Sequence, residues 1–177
     1  LDVSHAKRES LEIAVPLERA IIRLREQIEA GGFSIDCPAP PERDIHGSKE
    51  HLTELLYVLF KDIMDRLANG AKIGIAFHIR QPLWWERCEG MEAWLTMELL
   101  GMGKPKPPPA REGAAGAAGA AGAAGAQASA GRSGVETAEW ILVSHGGRLE
   151  ASPSAARPEP RYRFLLPIAS SRKKSVS

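Results

Sequence analysis

The sequence predicts an α+β domain, and two patterns of apolar residues predict it. In three segments the apolar residues recur at three- and four-residue steps, which is the period of a helix with one buried face. Shorter segments between them alternate apolar and polar residues, as half-buried strands do. With 177 residues, the chain is long enough for one domain of ordinary size with a real core.

The chain carries 23 basic and 22 acidic residues, and this balance gives no electrostatic argument for nucleic acid or for an anionic membrane as a partner. No apolar run approaches the roughly 20 residues that cross a bilayer, and no signal peptide is apparent, so we expect a cytoplasmic location. Cys37 and Cys88 are isolated, which favours free thiols in a reducing compartment. Because the sequence begins at Leu1, we expect a fragment of a longer protein.

The first helix is predicted over Val15–Ala30, and Gly31-Gly32 ends it. We expect residues 1–14 to be a connector from a preceding helix. A short alternating strand at Phe33–Ile35 leads into a proline-rich loop. The apolar stripe of the helix comprises Leu17, Ile21, Leu24 and Ile28.

The longest amphipathic segment, Ser48–Gly70, is predicted to be the central helix, with Ser48 as its N-cap and a terminal glycine as its left-handed stop. Glu54, Val58 and Asp62 are spaced i, i+4 and i+8, so they stack in one line along this helix. We expect this column to face any site that the protein has. The apolar face of the helix comprises Leu52, Leu55, Leu56, Leu59, Ile63 and Leu67.

Two antiparallel strands are predicted over Ala71–Arg80 and Met91–Leu100. Trp84 and Trp85 fall in their connection, where they either form an exposed contact patch or pack against the sheet. His78 has no partner at metal-ligand spacing, so we expect it to face solvent or a packed neighbour.

Residues 104–133 form a low-complexity segment, KPKPPP and then a Gly-Ala-Ala repeat, which cannot bury a core and is predicted to be a disordered, flexible insertion. A helix is predicted from Gly134 to a stop at Gly146-Gly147. The remaining elements are two strands, Arg148–Ser152 and Arg161–Ile168, and a disordered tail at 170–177.

This order of elements resembles the ATP-binding domain of sensor histidine kinases, which belongs to the same ATPase superfamily as DNA gyrase. The most specific match is His-Gly-Gly at 145–147 with RLEA and YRFLLPI after it, which is similar to the family's final helix and strand hairpin. HGSKEHLTELLYVLF is similar to the family's N-box helix and the turn before it, and LDVSHAKRESLEI to the connector that leaves the dimerisation helices.

The resemblance covers essentially the whole chain and implies an ATPase-like domain over residues 15–169. It also implies a two-layer α/β sandwich, in which about three helices cover one face of a mixed sheet. The insertion at 104–133 stands in place of the family's ATP lid.

The nucleotide motifs of the family are altered in this chain. The N box of the family has an acid or amide followed by two asparagines, at i+4 and i+8, and an asparagine there holds magnesium. The matching residues in this chain are Glu54, Val58 and Asp62, with Glu54 at the candidate catalytic position. Val58 has no ligand atom. Asp62 either binds Mg²⁺ through oxygen or pairs with Arg66 on a solvated helix face.

The two glycine motifs are altered as well. In Asp-x-Gly-x-Gly, where the aspartate accepts a hydrogen bond from adenine, both glycines remain as Gly101 and Gly103 and the aspartate is replaced by Leu99, which offers no acceptor. The phosphate-binding glycine motif corresponds to Gly131, Arg132 and Gly134, and Arg132 near a helix N-terminus is the candidate anion ligand.

The resemblance therefore predicts a degenerate histidine-kinase domain, a pseudokinase with weak or no ATP binding and no cofactor, that acts as a regulatory or docking module in two-component signalling. Its expected partner is a response-regulator receiver domain or another histidine kinase, and we expect a homodimer through upstream helices. One alternative is a divergent active kinase that binds Mg-ATP and phosphorylates an upstream histidine. Another is the docking platform of a histidine phosphotransfer protein.

Overall fold

The computed structural model describes residues 8–86, 91–107, 129–151 and 159–169. Within these ranges it contains three helices and seven strands. The helices are α1 (Ala14–Gly31), α2 (Lys49–Arg66) and α3 (Ser129–Ser144). The strands are β1 (Glu9–Glu12), β2 (Ser34–Asp36), β3 (Asp44–Gly47), β4 (Lys72–Arg80), β5 (Met91–Met102), β6 (Arg148–Ala151) and β7 (Arg161–Ala169).

The strands form one mixed sheet in the order β1-β3-β7-β5-β4-β2, with β6 paired to β7. The β2–β4 pair is parallel, and the other pairs are antiparallel. Leu95, Met97 and Leu99 alternate along β5 and join the apolar residues of the helices in one buried core. The predicted α+β class, with helices packed on a mixed sheet, is confirmed.

Helix α2 lies at the centre of this core, and its predicted N-cap is confirmed. The hydroxyl oxygen of Ser48 accepts a hydrogen bond from the His51 backbone N–H at 3.3 Å. The helix ends at Arg66, four residues before the predicted stop, because Leu67 turns into an extended conformation and forms a β-bridge with Pro105. Gly70 still adopts a left-handed conformation, with φ of 80°.

Strands β1 and β3, which pair with each other, were not predicted from the sequence. The sheet therefore begins inside the segment that was predicted to be a connector, and Leu11 and Ile13 of that segment belong to the core. Each of these strands has four residues and a single apolar residue that is buried, Leu11 or Ile45. So short a segment contains too few repeats to show a strand period.

Both ends of the predicted flexible insertion have defined structure. The backbone N–H of Ala68 donates to the carbonyl oxygen of Lys104 at 2.8 Å, and the N–H of Lys106 donates to that of Arg66 at 2.8 Å. At the other end, α3 begins at Ser129, five residues before the predicted start. Residues 108–128 and 170–177, for which flexibility was predicted, lie outside the described residues. Cys88 lies outside them as well, whereas Cys37 is free and exposed.

Candidate functional site

Glu54, the first residue of the α2 column, links two helices. Its Oε2 accepts a hydrogen bond from Nη1 of Arg23 on α1 at 2.7 Å. The Arg23 guanidinium also lies 4.0 Å from the centre of the Tyr57 ring, a cation–π contact. This carboxylate holds α1 against α2, and its predicted catalytic role stays a prediction.

Asp62, the last residue of the column, has protein partners on both carboxylate oxygens. Arg66 donates from Nε to Oδ2 at 2.6 Å and from Nη2 to Oδ1 at 3.1 Å, so the predicted ion pair with Arg66 is present. The hydroxyl of Tyr162 on β7 donates to Oδ2 at 2.8 Å. The Asp62 side chain is 16% exposed. These three donors occupy three of the four lone-pair positions of the carboxylate, so a cation at Asp62 would compete with them.

Sequence reasoning missed Tyr162. Its side chain is completely buried, and a buried hydroxyl needs a hydrogen-bond partner, which Asp62 supplies. Burial first, and then the negative charge of Asp62, raise the pKa of the Tyr162 phenol, so it remains a donor at neutral pH. The sequence did contain a signal for this residue, because Tyr162 occupies an inward position of the alternating strand β7, where a buried hydroxyl needs a partner.

Val58, between these two acids, lies under the start of α3. A Cβ added to Gly134 would lie 3.2 Å from Cγ1 of Val58, so the helices approach closely here. Gly131 and Gly134 belong to the first turns of α3. The resemblance to the family's phosphate motif had instead implied a glycine-rich loop at these positions. The Arg132 side chain falls outside the described part of the structure, and its role as an anion ligand stays a prediction.

Leu99 is completely buried in β5, between Ile75 on β4 and Tyr162 on β7 in the strand register. It belongs to the same apolar cluster as the inner residues of α2. This position therefore forms part of the core that supports the sheet.

Gly101 and Gly103 have packing roles. A Cβ on Gly101 would lie 2.7 Å from Cγ of Pro160 and 2.8 Å from both Cγ2 of Ile63 and Cδ1 of Leu67. A Cβ on Gly103 would lie 2.7 Å from the Cβ of Ala71. Gly101 lies within β5, one residue beyond the predicted end of the strand, and its lack of a side chain allows α2 to approach the sheet.

We expect Gly101→Ala to destabilise the domain by about 1–3 kcal/mol, because the added methyl overpacks three neighbours. Gly74→Ala is the matched control on β4: a Cβ there meets only the flexible end of Met102, at 3.0 Å, and one backbone oxygen at 3.9 Å. Urea unfolding of both variants measures the difference. Equal stabilities would mean that α2 does not pack closely on Gly101.

His145, in the His-Gly-Gly segment, connects α3 to the start of α2. It is 5% exposed, and its Nε2 accepts a hydrogen bond from the Ser48 backbone N–H at 3.0 Å. Its Nδ1 therefore carries the proton and lies 2.8 Å from the carbonyl oxygen of Ile141. Burial lowers the pKa of His145, which favours this neutral form.

The described ranges contain no group of three or more His, Cys, Asp or Glu side chains that could hold a metal ion. In the same ranges, no helix is long and apolar enough to cross a bilayer. His78 on β4 is exposed, which agrees with one of its two predicted environments.

The sequence matches no protein-family model and no curated protein. Solved structures of histidine kinases do match the structure. A mycobacterial sensor histidine kinase, MprB, aligns over 92% of this chain and 99% of its own at 14% identity, with a TM-score of 0.59. The chain has the fold of a histidine-kinase catalytic domain. The nucleotide-free catalytic domain of histidine kinase ThkA aligns over 92% and 97% of the two chains at 11% identity, with a TM-score of 0.58. Acinetobacter baumannii histidine kinase AdeS aligns over 94% and 70% at 9% identity, with a TM-score of 0.57.

Proposed function

We propose that this domain uses the histidine-kinase catalytic fold as a regulatory or docking module in two-component signalling, with weak or no ATP binding. The observation that carries the proposal is the hydrogen bonding of Asp62, which stands at an asparagine position of the family's N box. Both of its oxygens accept hydrogen bonds, from Arg66 and from buried Tyr162. Mg²⁺ binding there competes with these charge-assisted bonds and with the positive charge of Arg66.

Two further positions support the proposal. The side chain of Leu99 has no acceptor for adenine and is buried in the core, and that of Val58 has no ligand atom and lies against Gly134. A site built to bind a polar group loses affinity strongly when its partner is missing. Residues 131–134 lie within α3, so a helical backbone stands where the family has a glycine-rich loop that wraps phosphates.

A domain that keeps this fold without the nucleotide still offers a rigid surface for another protein. The contacts that hold its helices together are intact, including the Arg23–Glu54 pair and the link between His145 and Ser48. Its proposed partner is a receiver domain of a response regulator or a second histidine kinase, and upstream helices would make it a homodimer.

Calorimetric titration with ATP, with and without Mg²⁺, tests the proposal. We expect no saturable heat up to about 1 mM nucleotide, which is a binding free energy weaker than about −4 kcal/mol. Magnesium-dependent binding at micromolar nucleotide would overturn the proposal and favour a divergent active kinase. Binding of a receiver domain without nucleotide would support the docking role.

A pair of variants separates the two hypotheses if any nucleotide heat is found. Asp62→Ala removes the carboxylate that would bind Mg²⁺ in an active kinase, so such a kinase would lose its magnesium-dependent nucleotide binding. Asp65→Ala is the control, because this acid lies one turn further along α2 and pairs with Lys61 at 2.9 Å. Equal heats for both variants and the unaltered chain would assign the heat to another surface.

A further inference from the structure

The connection between β4 and β5 contains an apolar cluster that we call the aromatic tip, formed by Leu83, Trp84 and Trp85. Their side chains are unusually open to solvent: 46% of Leu83, 80% of Trp84 and 64% of Trp85 is exposed. The two indole rings meet nearly at right angles, with an interplanar angle of 88° and a centroid separation of 5.2 Å. They form an aromatic corner that contributes little to the core.

The aromatic tip is held in a defined shape by Glu86. The Glu86 carboxylate accepts two hydrogen bonds from Arg80, at 2.8 and 3.0 Å, and one from the backbone N–H of Leu83 at 2.9 Å. Arg148 on β6 donates to it as well, at 2.6 Å. The Glu86 side chain is 5% exposed, and these donors hold its pKa well below the usual range. The tryptophans are therefore presented by a preorganised loop, which lowers the entropic cost of binding.

The charges around the aromatic tip indicate what kind of partner it fits. Among the described residues, Arg80 and Arg148 are balanced by Glu86 and Glu150, which form one ion-pair network. This balance gives no preference for an anion such as a phosphate group or an acidic membrane. An aromatic corner whose described ion pairs are balanced suits an extended proline-rich peptide, whose pyrrolidine rings pack on indole faces and whose backbone is already ordered.

The chain itself contains such a peptide, Lys104–Pro107, in which all four residues are exposed. Its backbone is fixed along the end of α2 by the β-bridge of Pro105 and the hydrogen bond of Lys106. Its lysines can also place a cation over an indole ring. Strand β5 separates this peptide from the aromatic tip, and twelve residues span about 40 Å. The two surfaces of one molecule are therefore too far apart to meet.

We propose that the aromatic tip is a docking site for the proline-rich segment Lys104–Pro107 of a second copy of this chain. The contact joins two different surfaces, so it is a head-to-tail interface that propagates beyond a dimer unless a ring closes. The proposal involves no nucleotide, and the failure of either proposal leaves the other unaffected.

The first test titrates the synthetic peptide GKPKPPPAR into the full chain and follows tryptophan fluorescence and heat. We expect saturable binding that becomes at least about tenfold weaker in Trp84→Ala and in Trp85→Ala, as for hot-spot tryptophans. Trp140→Ala is the matched control, since Trp140 is 46% exposed but lies on α3. The peptide GKGKGGGAR, which lacks the prolines, should bind at least tenfold more weakly than the first peptide.

The second test measures self-association by sedimentation at increasing protein concentration. Trp85→Ala and Pro105→Gly should weaken it to a similar extent, because they alter the two sides of one contact, and circular dichroism checks that both remain folded. Absence of peptide binding at millimolar concentration would overturn the proposal, as would equal binding of both peptides. Self-association that is lost in Trp85→Ala and retained in Pro105→Gly would also overturn it. A blue shift of the tryptophan fluorescence on neutral phosphatidylcholine vesicles, without peptide binding, would overturn it as well.

Discussion

Leu99→Asp is expected to lower the free energy of unfolding by about 5 kcal/mol, enough to unfold a domain of ordinary stability. The variant removes a fully buried leucine and puts a carboxylate between Ile75 and Tyr162, two buried neighbours of which neither carries a positive charge. Deletion of the leucine and burial of an unpaired charge each carry a large cost, and both act here. Urea denaturation followed by circular dichroism measures the loss.

Leu100→Asp is the control for this experiment. Leu100 is the next residue of β5, only partly buried, and lies opposite Arg161 of β7 on the other face of the sheet. We expect a change within about 1 kcal/mol for this variant, because the new carboxylate keeps access to water and lies near a guanidinium. The comparison separates the burial of the Leu99 position from the effect of a charge in the strand.

Leu99→Asp also tests the proposed function. In the histidine-kinase family that the sequence resembles, an aspartate stands at the position of Leu99, and its carboxylate accepts a hydrogen bond from adenine. If the Leu99 position lined a nucleotide pocket, Leu99→Asp would leave stability unchanged and increase ATP binding. That result would contradict both the core role of Leu99 and the proposal that the domain lacks efficient nucleotide binding.

The sequence predicted the parts of the fold that repeat a pattern over many residues. Helix α2 runs over 18 residues, about five turns, and β4 and β5 pair over nine residues. Strands β1 and β3 contain one buried apolar residue each, so their pairing depends on tertiary contacts that no local period reveals. The start of α3 was placed too late because Gly131 is a poor helix former that the fold nevertheless includes in a helix.

The candidate site divides in the same way. The Asp62–Arg66 pair lies one helical turn apart, so its spacing predicted it. The Asp62–Tyr162 hydrogen bond joins residues 100 positions apart, and only the packing of α2 on β7 brings them together. The same holds for His145, whose motif was visible in the sequence while its acceptance of the Ser48 N–H was not.

His145→Ala is expected to lower the free energy of unfolding by about 2–4 kcal/mol, because it leaves the buried Ser48 N–H without an acceptor and opens a cavity. The N-terminus of α2 would lose its link to α3. His78→Ala, on the exposed side of β4, is the control and should change stability by less than about 0.5 kcal/mol. Urea unfolding at pH 8 measures both.

The pH dependence of stability provides a separate test of the same contact. Burial lowers the pKa of His145 below the ordinary 6.5, and the nearby His51, Arg8 and His46 oppose its positive charge as well. Above pH 6.5 the side chain is neutral in both states, and its contribution to stability is complete. As the pH falls below 6.5, the unfolded chain binds the proton first, so stability decreases until the lowered pKa of the folded state is passed.

This decrease should be smaller in His145→Ala and unchanged in His78→Ala. Since protonated Nε2 is a donor, it cannot accept from the Ser48 N–H. The protection of the Ser48 amide, taken relative to its intrinsic exchange rate, should therefore fall as the pH passes below the lowered pKa of the folded state. An equal decrease in all three proteins would show that other groups set the acid sensitivity. In that case His145 would hold α2 and α3 together by packing alone, and the buried hydrogen bond at the N-terminus of α2 would contribute little.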